Sequence, residues 1–359
     1  MKLATFEVDT PVGPARRVGV VDEGQGQEPG RGQGRDEAKD GDGDKEGDDS
    51  DTAGGPDGDR LVDVTAAYAA ALEAAGEADP VSIAEAHAPA DMRSFLARGE
   101  RAFEAAERAL EHVSTTGTER GPTGGRLRFE VGEEGVTLLA PLPRPNSLRD
   151  FMAFEEHVRN SLGGDPPDVW YDVPVYYKGN PDSVVGPGAE VAWPSHSERM
   201  DYELEIAAIV GRRGRDVPAG EADEYIAGYT IFDDFSARDT QLEEMKGRLG
   251  PAKGKDFANA LGPYLVTPDD FDLPDARMTA EVNGETWSEG TAGEMHHSFA
   301  DIVAHVSRDE TLHPGDVLGS GTVGGGCGLE LGRFLERGDT VRLTVDGLGM
   351  LENTVGSEW

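Results

Sequence analysis

The stretch Asp201-Tyr202-Glu203-Leu204-Glu205-Ile206-Ala207-Ala208-Ile209-Val210 constrains this chain more than any other. The run from Leu204 to Val210 predicts a buried strand. Side chains alternate faces along a strand, so Glu203 and Glu205 point the same way. Two carboxylates on one face of an apolar strand repel each other and are costly to bury. A divalent cation between them removes both problems, because hard cations such as Mg2+ and Ca2+ take carboxylate oxygens as ligands. A solvent-facing edge strand in an acidic protein removes them as well. The pair alone leaves both readings open.

Acidity is general in this sequence. The 359 residues include 70 acids and 33 bases, a net charge of -37. Only seven of the bases are lysine. Such a balance predicts a high-salt cytoplasm, where screening shortens the reach of carboxylate repulsion. It excludes nucleic acid as an expected partner, since phosphates call for a basic surface. The single cysteine, Cys327, excludes an intrachain disulfide and speaks against a cysteine-based zinc site. The opening Met1-Lys2-Leu3-Ala4-Thr5-Phe6-Glu7-Val8 alternates like a strand. With no long apolar run, no signal peptide or membrane span is expected, and the chain reads as cytoplasmic.

Residues 1–21 predict a hairpin turning at Pro11-Val12-Gly13-Pro14. The segment 22–59 carries 14 acids, 4 bases and almost no apolar residues, so it predicts a disordered acidic insert. Val64–Ala75 and Met92–His112 have helical spacing. Pro141, Pro143 and Pro145 form a stiff connector, which places a domain boundary between 1–140 and 141–359. Beyond it, strand patterns dominate: Tyr202–Val210, Tyr225–Asp233, Tyr264–Val266, Arg277–Val282, Val317–Gly319 and Thr340–Val345. The expected fold class is α+β, mainly β, with a smaller N-terminal α+β domain.

Four further segments carry unusual chemistry. Phe151, Phe154 and Val158 have helical spacing, which predicts a short helix bearing Asp150 and His157 on one side. Asp233, Asp234, Arg238 and Asp239 crowd the end of an apolar strand. Lys253 and Lys255 sit beside glycines, without the full phosphate-loop spacing. Glu330, between Leu329 and Leu331, follows the flexible Gly319-Ser320-Gly321-Thr322-Val323-Gly324-Gly325-Gly326 and reads as a buried acid or an exposed strand position.

In their order along the chain, these segments resemble the fumarylacetoacetate hydrolase family. The run Gly228-Tyr229-Thr230 through Arg238-Asp239, and Gly315-Asp316-Val317 leading into Ser320-Gly321-Thr322, are its most specific parts. The resemblance covers about residues 140–359. It implies a C-terminal mixed β-roll, a divalent cation (Mg2+, with Ca2+ or Mn2+ as substitutes) and a homodimer. Asp150, Glu203, Glu205 and Asp234 would be the metal ligands. His157 would be the general base, oriented by Glu330. Lys255, Arg238 and Gln241 would contact charged oxygens, with Tyr177 and Thr322 also at the substrate. Asp233 departs from the family's usual asparagine, and Met245 stands in place of a second tyrosine.

The implied activity is hydrolysis of a carbon–carbon bond in fumarylacetoacetate-like or acylpyruvate-type diketo acids. An imidazole can activate water near neutral pH, a cation stabilises the oxyanion, and a metal polarises the keto-acid oxygens. Similar enolate chemistry supports isomerisation of 2-hydroxyhepta-2,4-diene-1,7-dioate-type compounds in aromatic-acid breakdown, or decarboxylation of oxaloacetate. A sugar-acid lyase and a non-catalytic metal or carboxylate-binding module are further readings.

Overall fold

The computed structural model describes residues 1–22 and 58–356. The predicted disordered insert lies almost wholly outside the described residues. The opening hairpin forms as β1 (Lys2–Val8) and β2 (Ala15–Val21), followed by β3 (Arg60–Asp63). Four helices come next: α1 (Val64–Ala74), α2 (Pro80–His87), α3 (Met92–Leu96) and α4 (Glu100–Thr116). Asp63, Asp79 and Asp91 cap the first three by accepting a backbone N–H. The single helix expected over Met92–His112 is broken in two. Gly99 adopts φ +58°, a left-handed geometry that interrupts helical bonding.

β4 (Arg128–Glu130) and β5 (Val136–Leu139) lead to the proline connector and to β6 (Ser147–Phe151), α5 (Glu155–Leu162) and β7 (Tyr176–Gly179). The helix predicted to carry both Asp150 and His157 is therefore corrected. Asp150 lies on β6 and His157 on α5. The spacing of Phe151, Phe154 and Val158 is shared between a strand end and a helix start. β6 is held extended by ladders on both sides, which override the local pattern.

The remaining long strands are β8 (Leu204–Val210), β9 (Ile226–Asp233), β10 (Asn259–Val266), β11 (Arg277–Val282), β12 (Glu285–Thr291), β13 (Asp316–Gly319), β14 (Thr340–Val345) and β15 (Gly349–Val355). Three helices interrupt them: α6 (Arg238–Lys246), α7 (Phe299–Ser307) and α8 (Gly328–Leu331). A twelve-stranded sheet runs β4-β3-β2-β1-β10-β9-β8-β13-β6-β7, with β5 beside β1 and the short strand Val184–Val185 beside β10. Most neighbours are antiparallel, but β13 and β6 are parallel. A second sheet of five strands contains β12-β11-β14-β15. The fold is mixed and mainly β, with a smaller helical part.

The helices of the N-terminal half cover one face of the large sheet. Ala67, Phe95 and Ala105 pack in one cluster with Ala207, Ile209, Phe232 and Leu265. Leu204, Ile206 and Ala208 face the opposite way, into the core shared with the five-stranded sheet. β8 is thus buried on both faces, which explains its unbroken apolar run. Each fully buried Leu or Ile here contributes about 1.5–3 kcal/mol. Glu203 and Glu205 share the parity of Ala207 and Ile209, Glu203 just before β8 and Glu205 at its second position. Because β1 pairs with β10, the proposed units 1–140 and 141–359 share one sheet. Among the described residues, no helix is long and apolar enough to cross a membrane.

Candidate active site and metal centre

Neighbouring strand ends bring the carboxylates together. Asp150 on β6 lies opposite Gly319 of β13 and Tyr177 of β7. Glu205 is the second residue of β8, opposite Phe232 of β9, and Asp234 directly follows β9. Gly319 is required here: a Cβ would come within 2.6 Å of Asp150 Oδ1. Asp150, Glu203, Glu205 and Asp234 each offer an oxygen within 4.8 Å of the others, and all four are buried. The edge-strand reading of the glutamate pair is thereby excluded, since Glu205 has no exposed surface.

Two cations meet this cluster. Lys255 Nζ donates to Glu203 and to Asp234 Oδ2, the latter at 2.5 Å. Arg238, the first residue of α6, donates to Glu203 Oε1 at 2.8 Å, Asp201 Oδ2 at 2.7 Å and Gln241 Oε1 at 3.0 Å. Tyr177 donates its hydroxyl to Asp234 Oδ2. The Gly321 N–H reaches Asp150 Oδ1 and Glu205 Oε2, both at 3.2 Å, and the Thr322 hydroxyl reaches Glu205 Oε1 at 3.3 Å.

Charge is unevenly shared. Asp150, Asp201, Glu203, Glu205, Asp233 and Asp234 are all buried, against the two cations Arg238 and Lys255. Burial pushes the Glu203 carboxyl up, but Lys255 and Arg238 outweigh it and hold the group below the usual range. Burial, with the charge of Asp234, pushes Asp150 well above its ordinary value. Burial and the neighbouring Asp150 do the same to Glu205. Burial raises Asp234 to about 6, partly offset by Lys255. Asp233 is pushed well up by burial, and its Oδ1 accepts the Glu203 N–H at 2.9 Å.

The donor set fits a hard divalent cation. Four carboxylates converge, two cations leave them under-neutralised, and Asp234 Oδ1 is buried without a hydrogen-bond partner. A buried acceptor with no donor is costly, so this orphaned oxygen marks where a cation would bind.

The second feature is a dyad. His157 Nδ1 lies 2.7 Å from Glu330 Oε1, and the Glu330 side chain is only 2% exposed. The sequence left Glu330 as a buried acid or an exposed strand position; it is a buried acid on the short helix α8. Burial pushes its carboxyl up, but His157, Asn160 and the Gly325 N–H together outweigh that and lower it. A carboxylate only accepts, so Nδ1 is the nitrogen that carries a proton toward Glu330, and in the neutral tautomer Nε2 is the acceptor.

His157 of the dyad and Asp150 and Glu203 of the cluster line one cavity of about 210 Å3. Asp150, His157, Tyr177, Glu203, Arg238, Gln241, Lys255 and Thr322 all line it. Glu205 and Asp234 sit behind this wall, and Glu330 behind His157. Met245, half exposed, lines the outer part. Two participants escaped sequence reasoning. Asp201 is fully buried against Arg238, and its place two residues before Glu203 was the available signal. Asn160, one turn after His157, donates to Glu330 Oε2 at 2.7 Å, and nothing in the sequence pointed to it.

Comparison with known proteins places this geometry. The model for the fumarylacetoacetate (FAA) hydrolase C-terminal family matches residues 147–356. A mitochondrial oxaloacetate tautomerase of Homo sapiens is 32% identical over 270 residues, covering 74% of this chain and 80% of that one. The structure of 5-carboxymethyl-2-hydroxymuconate delta-isomerase from Mycobacterium smegmatis is 25% identical, with TM-score 0.61 and all of both chains covered. Fumarylacetoacetate hydrolase from Exiguobacterium antarcticum shares the fold at 23% identity and TM-score 0.65, covering 99% of this chain and 100% of that one. The chain with its four-carboxylate cluster and His157–Glu330 dyad belongs to the fumarylacetoacetate hydrolase family.

Proposed function

We propose that this protein is a divalent-metal-dependent hydrolase that cleaves a carbon–carbon bond in an acylpyruvate-type 2,4-diketo acid. The observation that carries the reading is the His157–Glu330 pair, 2.7 Å long and opening onto the same cavity as the carboxylate cluster. Asp150, Glu203, Glu205 and Asp234 would hold the cation, with Mg2+ as the expected ion and Mn2+ or Ca2+ as substitutes. A bound divalent cation would supply a Lewis acid that polarises the keto-acid oxygens.

The chain's own residues supply the rest. His157 Nε2 takes a proton from water, and the Glu330 carboxylate stabilises the imidazolium that forms. Water oxygen adds to the acyl carbon; the electron pair of the broken bond leaves with the pyruvate half, which then takes a proton. Lys255 and Arg238 place positive charge beside the developing oxyanion, with Gln241 held against Arg238. Tyr177 and Thr322 are placed to orient the substrate.

The cavity wall favours the acylpyruvate type over the fumarylacetoacetate type. Met152, Leu162, Leu242, Met245, Pro251 and Leu329 make its apolar part. Among the described residues, the cationic or imidazole side chains lining it are His157, Arg238 and Lys255, already engaged with carboxylates. A second carboxylate at the far end of a substrate would meet no free cation there.

A second reading is keto–enol tautomerisation or isomerisation, favoured by the names of two of the similar proteins above. The dyad would then move a proton between carbon and oxygen. Incubating 2,4-diketo acids and oxaloacetate with Mg2+ in H218O separates the readings. Hydrolysis gives pyruvate and a carboxylic acid carrying one solvent oxygen. An unchanged carbon skeleton with faster keto–enol exchange would overturn the hydrolase reading and support the second.

A further inference from the structure

Behind the dyad lies a group the proposed reaction does not use. Cys327 is fully buried just before α8, and its thiol donates to Glu330 Oε1 at 3.4 Å. The same oxygen lies 2.7 Å from His157 Nδ1. One nitrogen, one sulfur and one oxygen thus lie within 4.8 Å of one another. Cys327 and Glu330 are close in sequence but His157 is far from both, so the sequence gave no sign of the cluster.

We propose that His157, Cys327 and Glu330 form a second cation site, selective for a soft or borderline ion such as Zn2+ or Cd2+, whose occupation switches the dyad off. The donor types decide the selectivity. The carboxylate cluster is all oxygen and suits hard cations, whereas imidazole with thiolate suits zinc and its heavier congener. Charge balance favours the exchange: one dication displaces the thiol proton to solvent and the ring proton from Nδ1 to Nε2, and with thiolate, carboxylate and neutral imidazole it forms a neutral buried unit. Burial raises the cost of the thiolate alone, which is the cost a bound cation removes.

The three ligands are held in place. Glu330 Oε2 accepts from Asn160 at 2.7 Å and from the Gly325 N–H at 2.9 Å. Cys327 forms a backbone bridge with Glu203. A fourth ligand position can be taken by water from the cavity that His157 lines.

Occupation changes the ring's chemistry. A cation on Nδ1 forces the single proton of the neutral ring onto Nε2. Nε2 then donates instead of accepting and can no longer take a proton from water. The enzyme is thus served by hard cations at one cluster and silenced by soft ones at the other. Binding stands on the cluster alone; the loss of turnover rests also on His157 being the base.

Cd2+ titrated into protein saturated with Mg2+ tests this. The expected result is one equivalent of Cd2+ bound with an ultraviolet thiolate-to-metal charge-transfer band, and turnover lost at the same stoichiometry. Cys327→Ser should lose the band, keep its basal turnover, and need at least about tenfold more Cd2+ for inhibition. Circular dichroism confirms that the variant is folded. No band in folded wild-type protein overturns the site. So does a band of undiminished affinity in both His157→Asn and Glu330→Gln, which would assign the thiol alone. Inhibition reversed by excess Mg2+ and unchanged in Cys327→Ser would place Cd2+ at the carboxylates and overturn the switch.

Discussion

Asp201 joins the two halves of the site through one carboxylate. It accepts Arg238 Nε at 2.7 Å and the N–H groups of Gly328 and Leu329 at 2.7 and 2.9 Å. Arg238 in turn holds Glu203, while Gly328 and Leu329 open the helix that carries Glu330. Asp201→Asn removes a charge and turns an amide donor toward existing donors. Breaking a buried ion pair in this way costs about 3–5 kcal/mol. Denaturant unfolding should show that loss, and an unmoved midpoint would remove Asp201 from the network. For His157→Ala the expected fall in turnover is about 10²–10⁴, the usual size of a general-base effect, with Mn2+ affinity unchanged. Unchanged hydrolysis would take His157 out of the reaction. Glu330 gives a pH prediction. Its folded pKa is lowered from 4.5, so its contribution to stability is present above that value and lost as pH falls below it. Wild type should melt above Glu330→Gln at neutral pH, and the gap should close in acid. A gap that widens in acid contradicts the account of Glu330 as a hydrogen-bonded buried carboxylate.

The loop after β13 is the element on which the carboxylates depend. Gly321 adopts φ +80°, and a Cβ there would come within 2.2 Å of the Phe151 carbonyl. Its N–H serves both Asp150 and Glu205. Gly321→Ala should therefore destabilise the chain by about 1–3 kcal/mol or more and weaken Mn2+ binding in the same variant. Loss of stability with intact metal affinity would show that the loop supports the sheet but not the site. Elements such as this loop also show where the sequence was readable. Arg277–Val282 and Thr340–Val345 have the bounds their alternation predicts, and β8 and β9 follow from apolar runs buried on both faces. Asp150 was assigned to a helix because Phe151, Phe154 and Val158 satisfy helical spacing across a strand–helix junction. Only ladder bonds to β7 and β13 settle that it is extended. Asp201 follows from the same two-residue parity as Glu203 and Glu205, carried one step back. Asn160 does not, because its partner Glu330 reaches it only through the folded chain, and the same folding brings His157 to the neighbouring Cys327–Glu330 pair.

At the scale of the whole molecule, charge and sheet continuity make separate demands. A net charge of -37 repels itself wherever screening is weak, so melting temperature should rise between low and molar KCl. A salt-independent melting temperature would remove the proposal of a high-salt cytoplasm. The large sheet crosses the proposed boundary through β1 and β10, and the N-terminal helices cover Ala207, Ile209 and Leu265. Residues 141–359 expressed alone should therefore expose that face and aggregate; a stable, monomeric fragment would show that the cover is dispensable. Leu242, Met245 and Leu249 are exposed on α6 and the turn beyond it, where the proposed homodimer would find apolar surface. The buried carboxylate cluster is the proposed site of a divalent cation beside the His157–Glu330 dyad. Electron paramagnetic resonance of Mn2+ titrated into the purified protein and into Glu205→Gln tests it most directly. The account predicts one bound ion per chain in the wild type, displaced by Mg2+, and none in a folded Glu205→Gln. Equal binding in both proteins, or no binding in the wild type, would contradict it.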